Sequence, residues 1–285
     1  MKLLVFYSAI LLLFASSALA MDGSDSVVVS DAGEIHPQKG FVGSFLADEG
    51  AIWTSPLQMG HDDAYLWGGA AVTTVVLFTI DQPVARDTRK LWVDNPFVRT
   101  VSPVATQFGQ FYLPYGIAAG FCLEGIAFDD PTTTDTGILA AEAMLHSGIV
   151  VQVFKNLFGR SRPFVLSDRD HWYGPGAILA RYDKGRGWSP YDSFPSGHTI
   201  TAFTLATIIS GREQQPWVGI VAYTCAGLCG ISRLTMQDHW LSDVFVGGTL
   251  GVAIGKLELI RHNQDLAIYP SVGTRSASVT LQLTK

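Results

Sequence analysis

Apolar residues gather in six runs, roughly 64–80, 108–127, 137–154, 199–211, 217–231 and 243–260. Ala, Gly, Leu and Val dominate them, and none keeps the strict alternation of a half-buried strand, so each predicts a helix. Pro83, Pro114 and Pro216 mark breaks or kinks. The expected architecture is all-α, a bundle of about six core helices. Ahead of the runs, residues 21–60 begin polar and acidic (Asp22, Asp25, Asp31, Glu34) and turn mixed around Phe41, Phe45 and Trp53. That pattern predicts a leader followed by short surface helices. At the other end, Val279, Leu281 and Leu283 alternate with Thr280, Gln282 and Thr284 after a turn residue at Gly273, the pattern of a short β-hairpin.

The first twenty residues read as an export signal: Lys2 is the positive start, Leu3 to Leu13 the apolar centre, and Ala18-Leu19-Ala20 a small-residue cleavage site. An uncleaved anchor helix is the rival reading of the same segment. The expected organisation is a signal peptide at 1–20, a leader at 21–60, one domain at 61–262 and a tail at 263–285. Several apolar runs fall short of the roughly 20 residues that cross a bilayer. Glu124, Glu142 and His146 would be costly in hydrocarbon unless they faced the bundle interior. Six spans would also put the loops 81–107 and 155–198 together on the face opposite the mature N-terminus, a cytoplasmic face if the signal is cleaved. A secreted bundle that does not span removes that conflict, as does an uncleaved anchor; the former is the expectation. The chain is therefore expected to be exported, periplasmic or membrane-associated, with an extracytoplasmic active site.

Charge narrows the partners. Charged residues are only 15 % of the chain and the net charge is −6, which argues against a nucleic-acid binder. An acidic protein can still be locally basic where it meets phosphate. Cys122, Cys225 and Cys229 do not make a disulfide framework and read as small core residues. No Cys/His cluster has zinc-ligand spacing, and no cofactor is expected.

Three blocks carry the candidate chemistry. Lys155 ends the third apolar run and Arg162-Pro163 follows two helical turns on, so a compact ammonium and a planar fork of donors can reach one anion. Taken alone, that stretch also reads as a solvated basic loop, and Arg160 is assigned no more than that. Pro195-Ser196-Gly197-His198 stands directly before the run that begins at Thr199. A helix start there leaves N–H groups aligned with the positive end of the helix dipole, where a phosphate can sit, with His198 in the first turn. An ordinary cap with an exposed histidine is the bland alternative. Ser232-Arg233 precedes His239, and Asp243 follows His239 by four positions. On a helix those two share a face, so the carboxylate can take a hydrogen bond from one ring nitrogen and leave the other free to attack. A structural His-Asp pair fits equally.

In this order, with gaps of 31 and 33 residues between them, the blocks resemble the three-part signature of the type 2 phosphatidic acid phosphatase (PAP2)/haloperoxidase superfamily. The resemblance covers about residues 60–260 and fills every signature position. It implies a helical bundle and metal-free catalysis through a phosphohistidine. By position, it makes His239 the nucleophile, Asp243 its orienting partner and His198 the general acid. Lys155, Arg162 and Arg233 would hold the phosphate oxygens, with Ser196 and the Gly197 N–H completing the cradle. The expected substrate is a phosphomonoester or diphosphate, borne on a lipid given the apolar bundle and its flanking Trp53, Trp67, Trp172, Trp188, Trp217 and Trp240. A soluble acid phosphatase for small phosphomonoesters, a vanadate-dependent haloperoxidase and a non-catalytic phospholipid-binding protein are the alternatives. The segment 164–194, with Asp168, Asp170, His171, Trp172, Arg181 and Lys184, is expected to shape the substrate site.

Overall fold

The computed structural model describes residues 41–165, 170–176, 190–213, 215–264, 267–273 and 276–282. The signal segment, the leader up to residue 40, and Asp168, Arg181, Lys184 and Trp188 lie outside the described residues. Among the described residues there are eight α-helices: α1 Phe41–Thr54, α2 His61–Asp94, α3 Pro96–Ala105, α4 Tyr112–Phe128, α5 Pro131–Phe158, α6 Gly197–Arg212, α7 Pro216–Thr235 and α8 Leu241–Gln264. Six of them, all but α1 and α3, correspond to the six apolar runs. An antiparallel hairpin follows, β1 Ala267–Gly273 with β2 Ser276–Gln282, pairing Ala267 with Gln282 at one end and Gly273 with Ser276 at the other.

Local chemistry sets most helix ends. Asn95 and Asp130 turn their side chains onto N–H groups of the following turns, at 3.0 Å to Phe97 and 2.9 Å to Thr132, and each is followed by a proline at the first helical position. Pro216 likewise opens α7 rather than kinking it, and Pro114 sits in the first turn of α4. Pro83 lies well inside a helix, α2, and Pro103 lies inside α3. Gly159 ends α5 with φ of 56°, a left-handed cap that turns the chain towards Arg160 and Arg162.

The stretch 81–107, expected as a loop, is helical. α2 continues unbroken to Asp94, and α3 and a short 3₁₀ turn, Thr106–Gly109, fill the rest. The apolar run stops at 80 because α2 there meets polar groups, with Asp81 and Thr88 both buried. Loss of the apolar pattern marked a change of surroundings, not the end of the helix.

The core forms around α6. Phe203, Ala206, Ala226, Cys229, Leu234, Leu241, Val244 and Val252 make one cluster between α6, α7 and α8. A second joins Leu139, Ala140, Ala143 and Met144 of α5 to Leu205, Ile208 and Ile209 of α6. Three glycines, Gly247, Gly251 and Gly255, lie at four-residue spacing along α8 against α6. A Cβ at Gly247 would come 2.7 Å from the Ser196 carbonyl oxygen, and one at Gly251 2.6 Å from that of Ile200. Backbone therefore meets backbone where the His198 and Asp243 ends of the two helices lie side by side. Cys122, Cys225 and Cys229 are unbridged.

Among the described residues three helices, α2, α5 and α7, are long and apolar enough to cross a membrane, and the bent α3–α4 pair is a fourth candidate if it counts as one span. The helices extend beyond the apolar runs that foreshadowed them: 34 residues for α2, 28 for α5 and 20 for α7. The length argument against spanning therefore does not hold for these three. His146 is completely buried and bonds Glu49 of α1 at 2.6 Å, so it does face the interior, whereas Glu124 is exposed.

Candidate active site

The three blocks meet at one end of the bundle. Lys155 comes from the last turn of α5, Arg162 from the segment after it, His198 from the first turn of α6, Arg233 from the last turn of α7, and His239 from the turn leading into α8. Backbone bonds fix the Arg162 segment from several sides: Ser161 N–H to the His171 carbonyl at 2.8 Å, Arg162 N–H to Pro190 at 2.9 Å, and Ser193 N–H to Arg160 at 3.0 Å. The turn carrying His239 folds back onto α7, with the Asp238 and His239 N–H groups both donating to the Arg233 carbonyl.

The cations form a chain with two carboxylates between them. Asp192 lies 3.6 Å from the Lys155 ammonium and accepts from Arg162 Nε at 2.9 Å. Asp238 lies 3.6 Å from Arg162 and takes Arg233 at 2.6 Å. Arg233 also donates to the Thr106 hydroxyl, and its Nε–H is buried with no acceptor among the described residues. Lys155 reaches over the start of α6: its Nζ is 3.6 Å from where a Cβ on Gly197 would stand.

At the helix start, Ser196 is the N-cap. Its hydroxyl oxygen accepts from Thr199 N–H at 3.4 Å and its own N–H donates to the Asp243 carbonyl at 3.0 Å. Both Ser196 groups thus have protein partners. The N–H groups of Gly197 and His198, at the first two helical positions, are the ones without an intrahelical acceptor.

His239 differs from expectation in its surroundings. It precedes α8 and so does not share a helical face with Asp243. Its Nδ1–H donates to the Ser193 backbone carbonyl at 2.7 Å, while the nearer Asp243 oxygen stands 3.6 Å away. That carboxylate oxygen is occupied instead by the Ser193 hydroxyl and, at 2.9 Å, by the Trp240 N–H. The Nδ1 tautomer is set by a backbone carbonyl, Asp243 reaches the ring through hydrogen bonds only by way of Ser193, and Nε2 is the ring nitrogen left with the lone pair.

The PAP2 superfamily model matches residues 136–265, a stretch that holds all three blocks. Residues 136–265 are a PAP2 domain. Among curated proteins, a lipid A 1-phosphatase of Porphyromonas gingivalis is 43 % identical over 68 residues, 23 % of this chain and 15 % of that protein. A lipid A 1-phosphatase of Rhizobium johnstonii is 30 % identical over 117 residues, 41 % of this chain and 44 % of that protein. The chain thus spans less than half the length of either relative. Among solved structures, that of Aquifex aeolicus LpxE is 21 % identical, covers 64 % of this chain and 95 % of its own, and superposes with a TM-score of 0.48.

Electrostatics at the site favour neutral forms of His198 and His239 and an ionised Asp192. Burial, reinforced by Arg233, His239, Lys155 and Arg162, pushes His198 down to about 2. Burial and the same three cations also hold His239 well below its usual range. Burial alone would raise the Asp192 carboxyl, but Lys155 and Arg162 outweigh it and bring the group down to about 2. Three cationic side chains and the Asp192 carboxylate thus surround two neutral imidazoles.

Several residues at the site are not signature positions. Gln110 Oε1 pairs with His198 Nε2, Thr106 with Arg233, and Asp192 and Asp238 with the cations. Asp238 pairs with Arg162 and Arg233; if those two cations bind an oxyanion it competes for them, so Asp238→Asn, which keeps a hydrogen-bond acceptor but removes the charge, should tighten inhibition by vanadate. Inhibition constants are expected to fall about tenfold, equivalent to ~1.4 kcal/mol. Weaker inhibition would mean that the carboxylate aligns the two arginines rather than competing for them.

Proposed function

We propose that this chain is a metal-independent phosphatase that removes a phosphate group from a lipid of the lipid A class through a phosphohistidine at His239. One observation carries the reading: three cations from three separate segments converge on two neutral histidines at the start of α6. Lys155, Arg162 and Arg233 would bind the non-bridging oxygens, and the Gly197 and His198 N–H groups would complete the cradle. The unpartnered Nε–H of Arg233 supports this, since a buried donor without an acceptor costs about 1–3 kcal/mol that a bound oxyanion would relieve.

In this reading His239 Nε2 attacks phosphorus and the bond to the leaving oxygen breaks as His198 supplies that oxygen with a proton. The positive charge on the phosphorylated ring is stabilised by the Asp243 carboxylate 3.6 Å from Nδ1. Water then attacks phosphorus, giving its proton to His198, and the phosphorus–nitrogen bond electrons return to His239. The three cations supply the charge stabilisation throughout.

The lipid part rests on the partial relatives named for lipid A and on the apolar helices. It extends to a membrane-spanning protein with an extracytoplasmic site, supported by the export-type N-terminal segment. Purified protein should release inorganic phosphate from detergent-dispersed lipid A in the presence of EDTA, and vanadate should block it. Loss of activity on chelation would overturn the metal-free mechanism. Turnover of small phosphomonoesters with none of lipid A would favour the acid-phosphatase reading, for which an acid phosphatase of Zymomonas mobilis, 26 % identical over 144 residues, stands as precedent. Bromide oxidation by the vanadate-loaded protein with peroxide would favour the haloperoxidase reading.

A further inference from the structure

Arg160 is not the solvated loop residue that its sequence context suggested. It is completely buried, and every donor of its guanidinium group is engaged. Nε and one NH₂ group hold both oxygens of Asp170 at 2.7 Å, and that same NH₂ group holds Asp81 of α2 at 2.7 Å. The other NH₂ group holds Ser242 at 2.7 Å and the Asp243 carboxylate. Phe78, Trp172 and Trp240 surround the cation, their ring centres 5.1, 4.8 and 5.3 Å from its central carbon. Asp81 also accepts from the Ser242 N–H at 2.9 Å and from its hydroxyl. One arginine thus ties α2, the segment at Asp170 and the start of α8 together, and it does so through the carboxylate that stands beside His239.

We infer that Arg160 is a positioning residue for the proposed phosphoryl transfer: clamped by Asp81 and Asp170, it fixes the Asp243 carboxylate in the orientation that serves Ser193 and His239. The inference rests on the proposed phosphatase reading but concerns groups that do not touch the substrate. The division of labour at Asp243 makes the case. Oδ1 is taken by Arg160, which leaves Oδ2 to hold the Ser193 hydroxyl and the Trp240 N–H. Ser193 in turn presents its carbonyl to His239 Nδ1. Without the guanidinium, the carboxylate loses the partner that selects which oxygen faces the histidine. Three carboxylates would also be left facing one another in a buried space, and Asp243, already raised by burial despite Arg160, would rise further.

The groups facing Arg160 are Asp81 and Phe78 from α2, Asp170 and Trp172 from the segment after α5, Trp240 ahead of α8, and Ser242 and Asp243 from α8. A mechanical brace and a positioning residue differ in what their loss does to pH dependence. Asp243 must be ionised to stabilise the charged ring, so activity falls as pH drops through its raised pKa. Asp81→Asn removes a neighbouring negative charge while keeping a hydrogen-bonding group. It should therefore lower the Asp243 pKa and move the acid limb of the kcat profile to lower pH.

The experiment is a kinetic comparison of full-length wild type, Arg160→Lys, Arg160→Met and Asp81→Asn on lipid A, with KM, kcat and the pH profile recorded. Arg160→Lys should lose about a hundredfold in kcat with KM within about threefold, as expected when a reacting group is misplaced but binding is intact. Arg160→Met should lose more, so that Lys is a partial rescue. If neither arginine variant folds, Asp81→Asn decides. A displaced acid limb supports the inference, and a profile that overlays wild type overturns it. Unchanged kcat in a folded Arg160→Met would overturn it as well. An inactive wild type would instead defeat the phosphatase reading, which keeps the two failures distinct.

Discussion

Replacing His239 by alanine is expected to abolish phosphate release, with a fall in kcat of at least about 10⁴-fold. The reason is positional. Among the described residues, His239 is the imidazole whose Nδ1–H is fixed by a backbone carbonyl, which leaves Nε2 as a permanent lone pair. Burial and the surrounding cations keep the ring unprotonated, so the lone pair is available throughout the working pH range. The partner measurement is chemical trapping. Wild type quenched during turnover should carry protein-bound phosphate that survives alkali and is lost in acid, the behaviour of a phosphoramidate, and the alanine variant should carry none. Retained turnover in that variant, or trapped phosphate that resists acid, would remove His239 as the nucleophile.

Replacing His198 by alanine should produce the second-largest loss, and its size should depend on the leaving group. For a sugar or alkyl oxygen, which leaves poorly without a proton, kcat/KM should fall about 10²- to 10⁴-fold. For a nitrophenyl phosphate, whose leaving group needs no proton, the loss in kcat/KM should be much smaller. Because the same ring is the base for the second step, the variant should show a burst of nitrophenolate followed by slow turnover. Equal losses on both substrates would reduce His198 to a binding group. Burial and the neighbouring cations push His198 down to about 2, so the proton it needs must come with the substrate's negative charge. The negative phosphate offsets the effect of Arg233, Lys155 and Arg162 and raises the pKa, so binding should take up a proton. Isothermal titration with vanadate in buffers of different ionisation enthalpy reads that uptake directly.

The six core helices were legible because each is defined by a local period, and the three blocks because each places its chemistry beside a helix end. Their convergence at one end of the bundle follows from alternating helix directions. What was not legible is which carboxylate answers which cation. Arg160 looked like part of a solvated basic stretch because its partners Asp81 and Asp243 lie 79 and 83 residues away, beyond any local pattern. Asp192 and Asp238 sit inside or beside signature blocks yet resemble ordinary loop acids until Lys155, Arg162 and Arg233 fold around them. The continuation of α2 past Asp81 was hidden for a related reason, since apolarity reports what surrounds a helix and not where its hydrogen bonding stops. The Ser193 carbonyl that orients His239 is a backbone atom and has no residue signature at all.

The glycine ladder on α8 has a bearing on how the chemistry tolerates change elsewhere. Where Gly247 and Gly251 meet the carbonyls of Ser196 and Ile200, no side chain lies between the helices to adopt another rotamer. The distance between the start of α6, which carries His198, and the start of α8, which follows His239, is then a property of peptide geometry. Outward-facing positions of the bundle can drift in volume and polarity, suiting whatever solvent or lipid they meet, without loosening the spacing on which the reaction depends.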